Sequence, residues 1–310
     1  MRKCCIVAAM VCLFAVGLVH AGEWKPTKTV EWTLTVSPGG GNDIFTRTII
    51  DIATSKKISD ANFIVNYQTD GNGEVARLAL AKAGVESHRI LGYTSGDLIA
   101  QMEIGSLTPD DFTVLTVLVS DKHILLVNKE GKYKSVQAVV DAIKAGEDVA
   151  MGGARGDDEL LYNRLMKSFG FAEDEVPYIA YGSNADSLTA LLGNHIDVCV
   201  SKLAACKQYL ISGDLESIAA LANERFTAKP FDTAQTLSEL GYENVEYPIW
   251  RAIMASPEMP KAAIEYYINM LKDVSKTPEW EFYLEDKLSS SMNLFGEDAK
   301  QYVKDFAKGM

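Results

Sequence analysis

The stretch Val36-Ser37-Pro38-Gly39-Gly40-Gly41-Asn42-Asp43 decides the fold of this chain. Alternating apolar and polar residues from Val30 precede it, and apolar residues at helical spacing follow it from Ile44. This order predicts a strand, a tight glycine turn and a helix N-terminus, which together present backbone N–H groups to an anion. The alternative is a plain turn in which Asp43 caps the helix. Three successive glycines cost backbone entropy that a plain turn does not require, so we expect the loop to face a ligand.

The loop lacks the signature of phosphate transfer. A P-loop has Lys and Ser or Thr directly after its last glycine, whereas Gly41 is followed by Asn42 and Asp43 and the next lysine is Lys56. The carboxylate of Asp43 would repel a second carboxylate close by. We therefore expect a carboxylate ligand to be held one shell away, through ordered water.

The same order of strand, turn and helix recurs along the chain and predicts an α/β fold with largely parallel sheets. A second glycine turn is predicted at 152–156, after a strand over 148–151. Two strand-like runs at 114–119 and 124–127 indicate a crossover between two similar halves. We expect two lobes with a ligand cleft between them and two crossovers. Lobe I comprises residues 22–122 and 223–310, and lobe II comprises residues 123–222.

The first 21 residues have the pattern of a secretory signal peptide. Arg2 and Lys3 precede an apolar run from Ile6 to Val19, and small residues follow it. The alternative is a membrane anchor, but the apolar run is shorter than the roughly 20 residues that span a bilayer. The pattern therefore predicts export.

The charge and the cysteine content exclude several classes of protein. The net charge is −12, which argues against nucleic acid and anionic membrane surfaces as partners. Removal of the first 21 residues would leave two cysteines, Cys199 and Cys206, too few for a disulfide-built scaffold, although a bridge between them stays open. No histidines stand at zinc-site spacing, so we predict no metal and no cofactor.

Five motifs, taken in order, carry a family resemblance. The last of them is similar to the pattern P-D-V-P-T-L-x-E-x-G, which is long and specific. Through these motifs the chain resembles the substrate-binding proteins of tripartite tricarboxylate transporters, the TctC or Bug family of periplasmic receptors, over nearly all of residues 22–310. The motifs are Pro38-Gly39-Gly40-Gly41-Asn42-Asp43, Tyr93-Thr94-Ser95-Gly96, Tyr181-Gly182, residues 191–197 and residues 231–241.

The resemblance implies a type II periplasmic binding fold and a monomer in the periplasm that delivers its ligand to membrane permease subunits. The implied ligand is a small organic carboxylate, a di- or tricarboxylate. Two loops would hold it as pincers, with Ser95 lining the cleft and Asp197 ordering the loops. The implied ligand-binding residues are Ser37, Gly40, Gly41, Asn42, Asp43, Ser95, Gly153, Ala154, Arg155, Tyr181, Gly182 and Asp197.

The chain departs from the family pattern in ways that bear on the ligand. Val36 stands where the family has an aromatic residue, and the second loop reads Arg155-Gly156-Asp157-Asp158 instead of a run of small residues. An acid at Asp97 and a base at Arg155 would suit a zwitterion such as an amino acid. A secreted enzyme on the same scaffold is the alternative function, but no activated nucleophile or acid–base pair has convincing spacing. We therefore predict a receptor and not an enzyme.

Overall fold

The computed structural model describes residues 24–36, 38–39, 41–85, 88–172 and 175–309. The predicted signal peptide at 1–21 lies outside these residues, as do Ser37 and Gly40 of the first glycine loop. The described residues form a mixed α/β fold with two separate sheets, which confirms the predicted fold class.

The first sheet has six strands, and its middle is antiparallel. Its strands are β1 (Val30–Leu34), β2 (Phe63–Tyr67), β3 (Arg89–Thr94), β4 (Thr113–Asp121), β10 (Ile249–Ala255) and β11 (Ser290–Phe295). They lie in the order β11-β4-β10-β3-β1-β2. Strands β1, β2 and β3 are parallel, but β10 runs antiparallel to both β3 and β4. The expectation of a largely parallel sheet therefore holds only where strands and helices alternate.

The second sheet has five strands in the order β7-β6-β8-β5-β9. Strand β6 is parallel to β7 and β8, whereas β5 is antiparallel to β8 and β9. The chain passes from the first sheet to the second at Lys122, between β4 and β5. The bounds are β5 His123–Asn128, β6 Met151–Ala154, β7 Tyr178–Tyr181, β8 Val198–Lys202 and β9 Leu215–Leu221.

Amphipathic helices cover the sheets. Helix α1, for example, buries Phe45, Ile49 and Ile52 in the core of the first sheet. Along the chain, the helices that alternate with or follow strands of the first sheet are α1 (Gly41–Ser55), α2 (Glu74–Ala81), α3 (Ser95–Ile104), α8 (Lys261–Val274), α9 (Pro278–Lys287) and α10 (Glu297–Lys308). Those within the second are α4 (Val136–Lys144), α5 (Asp157–Phe169), α6 (Asn184–Leu192) and α7 (Leu203–Ser212).

The segment after β9 packs with the second sheet. Phe226, Phe231 and Leu237 lie in cores that include strands β5 and β8, and Thr236 forms an isolated bridge to Ala220 of β9. The lobe boundary at residue 222 stays a prediction, and this packing favours a boundary closer to Ile249. In the core of the second sheet Cys199 and Cys206 are both buried and free, so the disulfide left open above is not formed in this structure.

Candidate functional site

The first glycine loop is anchored by Asp43, which lies in the first turn of α1. Its carboxylate accepts hydrogen bonds from Gly39 N (2.8 Å), Arg47 Nε (2.9 Å) and Tyr67 Oη (2.7 Å). Burial would raise the pKa of Asp43, but these three donors outweigh it and hold the pKa below its usual value. The alternative in which Asp43 is the N-cap does not hold, because α1 begins at Gly41 and the carboxylate of Asp43 reaches back to the loop.

The neighbours of Asp43 take different positions. Gly41 is exposed at the start of α1. Asn42 is 2% exposed, and an ideal Cβ on Gly92 of β3 would lie 3.2 Å from its Nδ2. The side chain of Asn42 thus points towards the sheet, where neither of its polar atoms has a partner among the described residues. Any contact of Asn42 with a ligand would therefore come from its backbone.

A buried cation, Arg251, lies against the start of α1. A Cβ built on Gly41 would be 2.8 Å from Arg251 Nη2, so any larger residue there would require the guanidinium to move away from the start of α1. Arg251 is 9% exposed and its Nη2 forms an ion pair with Asp121 at the end of β4. Burial would raise the pKa of Asp121, but Arg251 outweighs it and the pKa lies below its usual value. The Nε of Arg251 is buried without a hydrogen-bond partner among the described residues.

The second glycine run is a strand and not the predicted turn. Strand β6 continues through Gly152 and Gly153 to Ala154. A Cβ on Gly152 would lie 2.6 Å from Ile179 O, and one on Gly153 would lie 2.7 Å from Val200 O. These glycines therefore permit the neighbouring strands to pack closely. Local sequence alone does not distinguish a pair of glycines in a strand from a pair in a turn. The chain turns only at Arg155 and Gly156, before α5.

The backbone of this second loop is already hydrogen-bonded within the protein. Ala154 N donates to Asp158 Oδ2 (3.0 Å), and Arg155 N donates to Tyr181 O (3.1 Å). Asp158 also accepts from Asn184 Nδ2 and pairs with His123 Nε2 (3.1 Å). Burial would raise the pKa of Asp158, but the bond with His123 outweighs it and lowers the pKa. Ala154 and Arg155 thus have little capacity left to bind an anion through their N–H groups.

The site has two walls, one formed by elements of the first sheet and one by elements of the second. The two walls meet at Ser95 and Asp157. Ser95 begins α3 at the edge of the first sheet, and Asp157 begins α5 beside the second. Ser95 Oγ donates to Asp157 Oδ1 (2.7 Å), and a Cβ on Gly96 would lie 3.4 Å from Asp157 Oδ2. The partial burial of Asp157 between the two walls raises its pKa. The hydroxyl of Ser95 therefore donates a hydrogen bond just after the carboxyl end of β3, and its acceptor is a protein carboxylate.

Asp97 and Arg155 do not form the predicted acid and base of a zwitterion site. Asp97 is buried, accepts from Arg77 Nη1 (3.0 Å) and forms a capping box with Thr94 at the start of α3. Burial raises its pKa despite these partners. The side chain of Arg155 is exposed. Asp97 is thus part of the scaffold of the first sheet.

The remaining predicted residues divide between the two ends of the second sheet. Tyr181 ends β7 next to Ala154, with Gly182 exposed after it. Asp197 precedes β8 and accepts from Ala150 N (3.0 Å). Strands β6 and β8 are parallel, so Asp197 lies at their amino ends, away from Ala154. The structure does not bring Asp197 to the site.

The sequence interpretation missed Arg251, Asp121, Asp157 and His123. Arg251 stands inside the apolar run Ile249–Ala255, and every residue of that strand is buried. A charged residue within a buried strand is rare unless it is paired or functional. That signal was present in the sequence. The partnership of Arg251 with Asp121 could not be read, because 130 residues separate them.

Two general properties of the described residues bear on function. No helix among them is long and apolar enough to cross a membrane. Within the same part of the chain, no group of three or more His, Cys, Asp or Glu side chains could hold a metal ion. The side chains described around the site include a hydroxyl, that of Ser95, and paired charges such as Arg251 with Asp121.

Comparisons with known proteins agree with this architecture. Residues 92–309 match the model of the tripartite tricarboxylate transporter family receptor. A UPF0065 protein of Bordetella pertussis is 23% identical over 305 residues, which cover 96% of this chain and 92% of that protein. MatC from Rhodopseudomonas palustris, solved with bound malate, has a TM-score of 0.73 at 17% identity. The match covers 92% of this chain and 98% of the MatC chain. Rpa4515 of R. palustris, solved with adipate, has a TM-score of 0.75 at 17% identity, with 92% and 95% covered.

Proposed function

Because the chain belongs to the tripartite tricarboxylate transporter family of receptors, we propose that it captures a small organic carboxylate between its two sheets and passes it to the membrane subunits of a transporter. The family consists of substrate-binding receptors. Malate and adipate, bound in the structures of MatC and Rpa4515, are both dicarboxylates. We place the receptor in the periplasm as a monomer, with residues 1–21 as its export signal.

The observation that carries this proposal is the position of Arg251. Its guanidinium lies against Gly41 at the N-terminus of α1, where free N–H groups and the helix dipole favour an anion. A guanidinium binds a carboxylate through two parallel hydrogen bonds. Asp121 occupies one side of Arg251. The Nε of Arg251 is buried and has no hydrogen-bond partner among the described residues. Arg251 and the start of α1 thus form a cationic site for one ligand carboxylate.

The carboxylate of Asp43 repels a ligand carboxylate at this site less strongly than an unpaired aspartate would. Its carboxylate is bonded to Arg47 and to the N–H of Gly39. The positive charge of Arg47 offsets its field, and the bond to Gly39 fixes the loop. We propose that Asp43 sets the shape of the first wall and that Arg251 supplies the attraction.

A binding experiment tests the proposal. Thermal-shift measurements against di- and tricarboxylates, aromatic acids and amino acids should reveal a ligand, since binding stabilises the folded state by RT ln(1 + [L]/Kd). Calorimetry with that ligand should then show that Arg251→Gln lowers affinity by about tenfold or more, the effect of losing a charge-assisted pair. Arg251→Lys should recover part of the loss, because a lysine retains the charge without the planar fork.

Arg155→Gln is the matched comparison, because it removes the exposed cation that the sequence favoured. We expect its affinity to stay within about threefold of wild type, since loss of an exposed charge has a small effect. Melting curves of each variant without ligand separate loss of binding from loss of folding. A carboxylate that binds Arg251→Gln as tightly as wild type would contradict the proposal. Conversion of the bound acid, followed by NMR, would favour an enzyme instead.

A further inference from the structure

Unlike several other carboxylates around the site, Asp157 is not bonded to a basic side chain within the described residues. Four of them accept from or pair with a basic side chain. Asp157 accepts only from the neutral hydroxyl of Ser95 among the described residues. The four basic pairs are Asp43 with Arg47, Asp97 with Arg77, Asp121 with Arg251 and Asp158 with His123.

The surroundings of Asp157 neutralise its charge only in part. Its partial burial is the largest influence on its pKa and raises it. Lys202 at the end of β8 and His123 are close enough to lower the pKa, but neither donates a hydrogen bond to Asp157 within the described chain. Asp158, the next residue, adds a second negative charge that raises the pKa. A carboxylate shielded from water without a bonded cation is costly, and a cation from outside the protein would remove that cost.

The position of Asp157 makes it accessible to a ligand held by Arg251. Asp157 is only half-buried, and its Oδ2 lies beside Gly96, which carries no side chain to cover it. Burial would lower the pKa of Arg251, but Asp121 outweighs it and raises the pKa, with smaller contributions from Tyr283 and Asp157. The site thus has an incompletely paired cation, Arg251, on the first sheet and an acid without a bonded cation on the second.

We propose that Asp157 is the subsite for an ammonium group, so that this receptor prefers an amino acid over the same acid without its amine. This rests on the proposed function, in which Arg251 binds the ligand carboxylate. Ser95 orients the carboxylate of Asp157, and the Oδ2 of Asp157 accepts a hydrogen bond from the ligand ammonium. An amine-free dicarboxylate would instead bring a second negative charge towards Asp157 and Asp158.

The test compares matched pairs of ligands on the folded protein. Calorimetry measures the affinities for aspartate and succinate, glutamate and glutarate, alanine and propionate, and phenylalanine and 3-phenylpropionate. In the pair that binds most tightly, the amino acid should bind at least about tenfold more tightly than its partner. This comparison needs no variant, so a folding defect cannot obscure it.

Two variants locate the preference. Asp157→Asn keeps an oxygen for Ser95 and removes the charge, and it should reduce the preference to about threefold or less. Glu159→Gln removes a charge from the same turn of α5, two residues further on, and should leave the preference unchanged. Melting curves establish that both variants fold.

The outcomes separate this inference from the proposed function. If amine-free acids bind as tightly as their amino partners, in a manner that depends on Arg251, the ammonium subsite is wrong and the carboxylate receptor stands. A preference that survives in Asp157→Asn also overturns the subsite. If no carboxylate in either screen binds, both proposals fail.

Discussion

The ion pair between Arg251 and Asp121 makes a demanding prediction about stability. Arg251→Met would leave Asp121, which is 8% exposed, without its bonded cation. Breaking a buried pair from one side costs about 3–5 kcal/mol, because an uncompensated charge stays buried. Asp121 would keep the hydrogen bond from Ser289 Oγ (2.9 Å) and the more distant charges of Lys202 and His123. We therefore expect the lower end of that range, about 3 kcal/mol.

The loss should depend on pH in a defined direction. The folded-state pKa of Asp121 lies below its usual value, so its stabilising contribution is present above the unfolded pKa and is lost as the pH falls. Without Arg251, the effect of burial on the pKa of Asp121 is opposed only by Ser289, Lys202 and His123. Protonation of Asp121 at lower pH then removes the buried negative charge. The difference in unfolding free energy between wild type and Arg251→Met should thus be largest at about pH 7 and shrink towards about pH 4, near the usual Asp pKa.

Urea unfolding at the two pH values measures this difference. Arg225→Met is the matched control, since it breaks an exposed pair with Glu239 (2.8 Å) and should cost much less stability than Arg251→Met. The double variant Asp121→Asn, Arg251→Met should recover much of the lost stability, because no buried charge remains unpaired. A cost of Arg251→Met no larger than that of Arg225→Met, or the same at both pH values, would contradict the stabilising pairing of Arg251 with Asp121.

Two further predictions test the loops. Gly153→Ala should destabilise the protein by roughly 1–3 kcal/mol through overpacking, since its Cβ would lie 2.7 Å from Val200 O, whereas Gly182→Ala, with its nearest contact at 3.4 Å, should be close to neutral in thermal melts. A melting temperature unchanged in Gly153→Ala would contradict the close packing. Asp43→Asn should cost roughly 1.5–3 kcal/mol at neutral pH, the value of hydrogen bonds to a charged group, and the loss should shrink as the pH falls, because the folded pKa of Asp43 is below its usual value. The exposed Asp51→Asn on the same helix is its control, and equal unfolding free energies for the two variants would rule out an anchoring role for Asp43.

Much of the fold could be predicted because the local pattern and the tertiary structure agree. In strand β2 (Phe63–Tyr67) partly buried and exposed residues alternate, and in helix α4 (Val136–Lys144) buried valines recur at helical spacing. Helix α9 and strand β11 were not predicted. In α9 the buried Trp280 and the 69%-exposed Phe282 give no clear apolar face. Strand β11 is at the edge of its sheet and only partly buried, so its pattern is weak.

The site was less predictable than the fold because its groups come from distant parts of the chain. The glycines at 152–153 look locally like those at 39–41, yet Gly152 and Gly153 are needed for close strand packing. That distinction depends on Ile179 and Val200, which only the folded sheet brings next to them. Side-chain pairing is equally non-local, as in the bond between Ser95 and Asp157. Local sequence thus indicated which loops to compare, but not which charged side chains would lie beside them.

The two loops of the candidate site use the same local arrangement, and we therefore expect the selectivity to come from residues outside the glycine motifs. Asp43 accepts from the N–H of Gly39 and Asp158 from the N–H of Ala154, each four residues earlier in the chain. Each aspartate therefore uses one of the loop donors that the sequence suggested would bind the ligand. The groups left to face a ligand are the free N-termini of the two helices, with Arg251 beside one and the carboxylate of Asp157 at the other. Since helix N-termini attract any anion, discrimination between one acid and another must come from the two side chains.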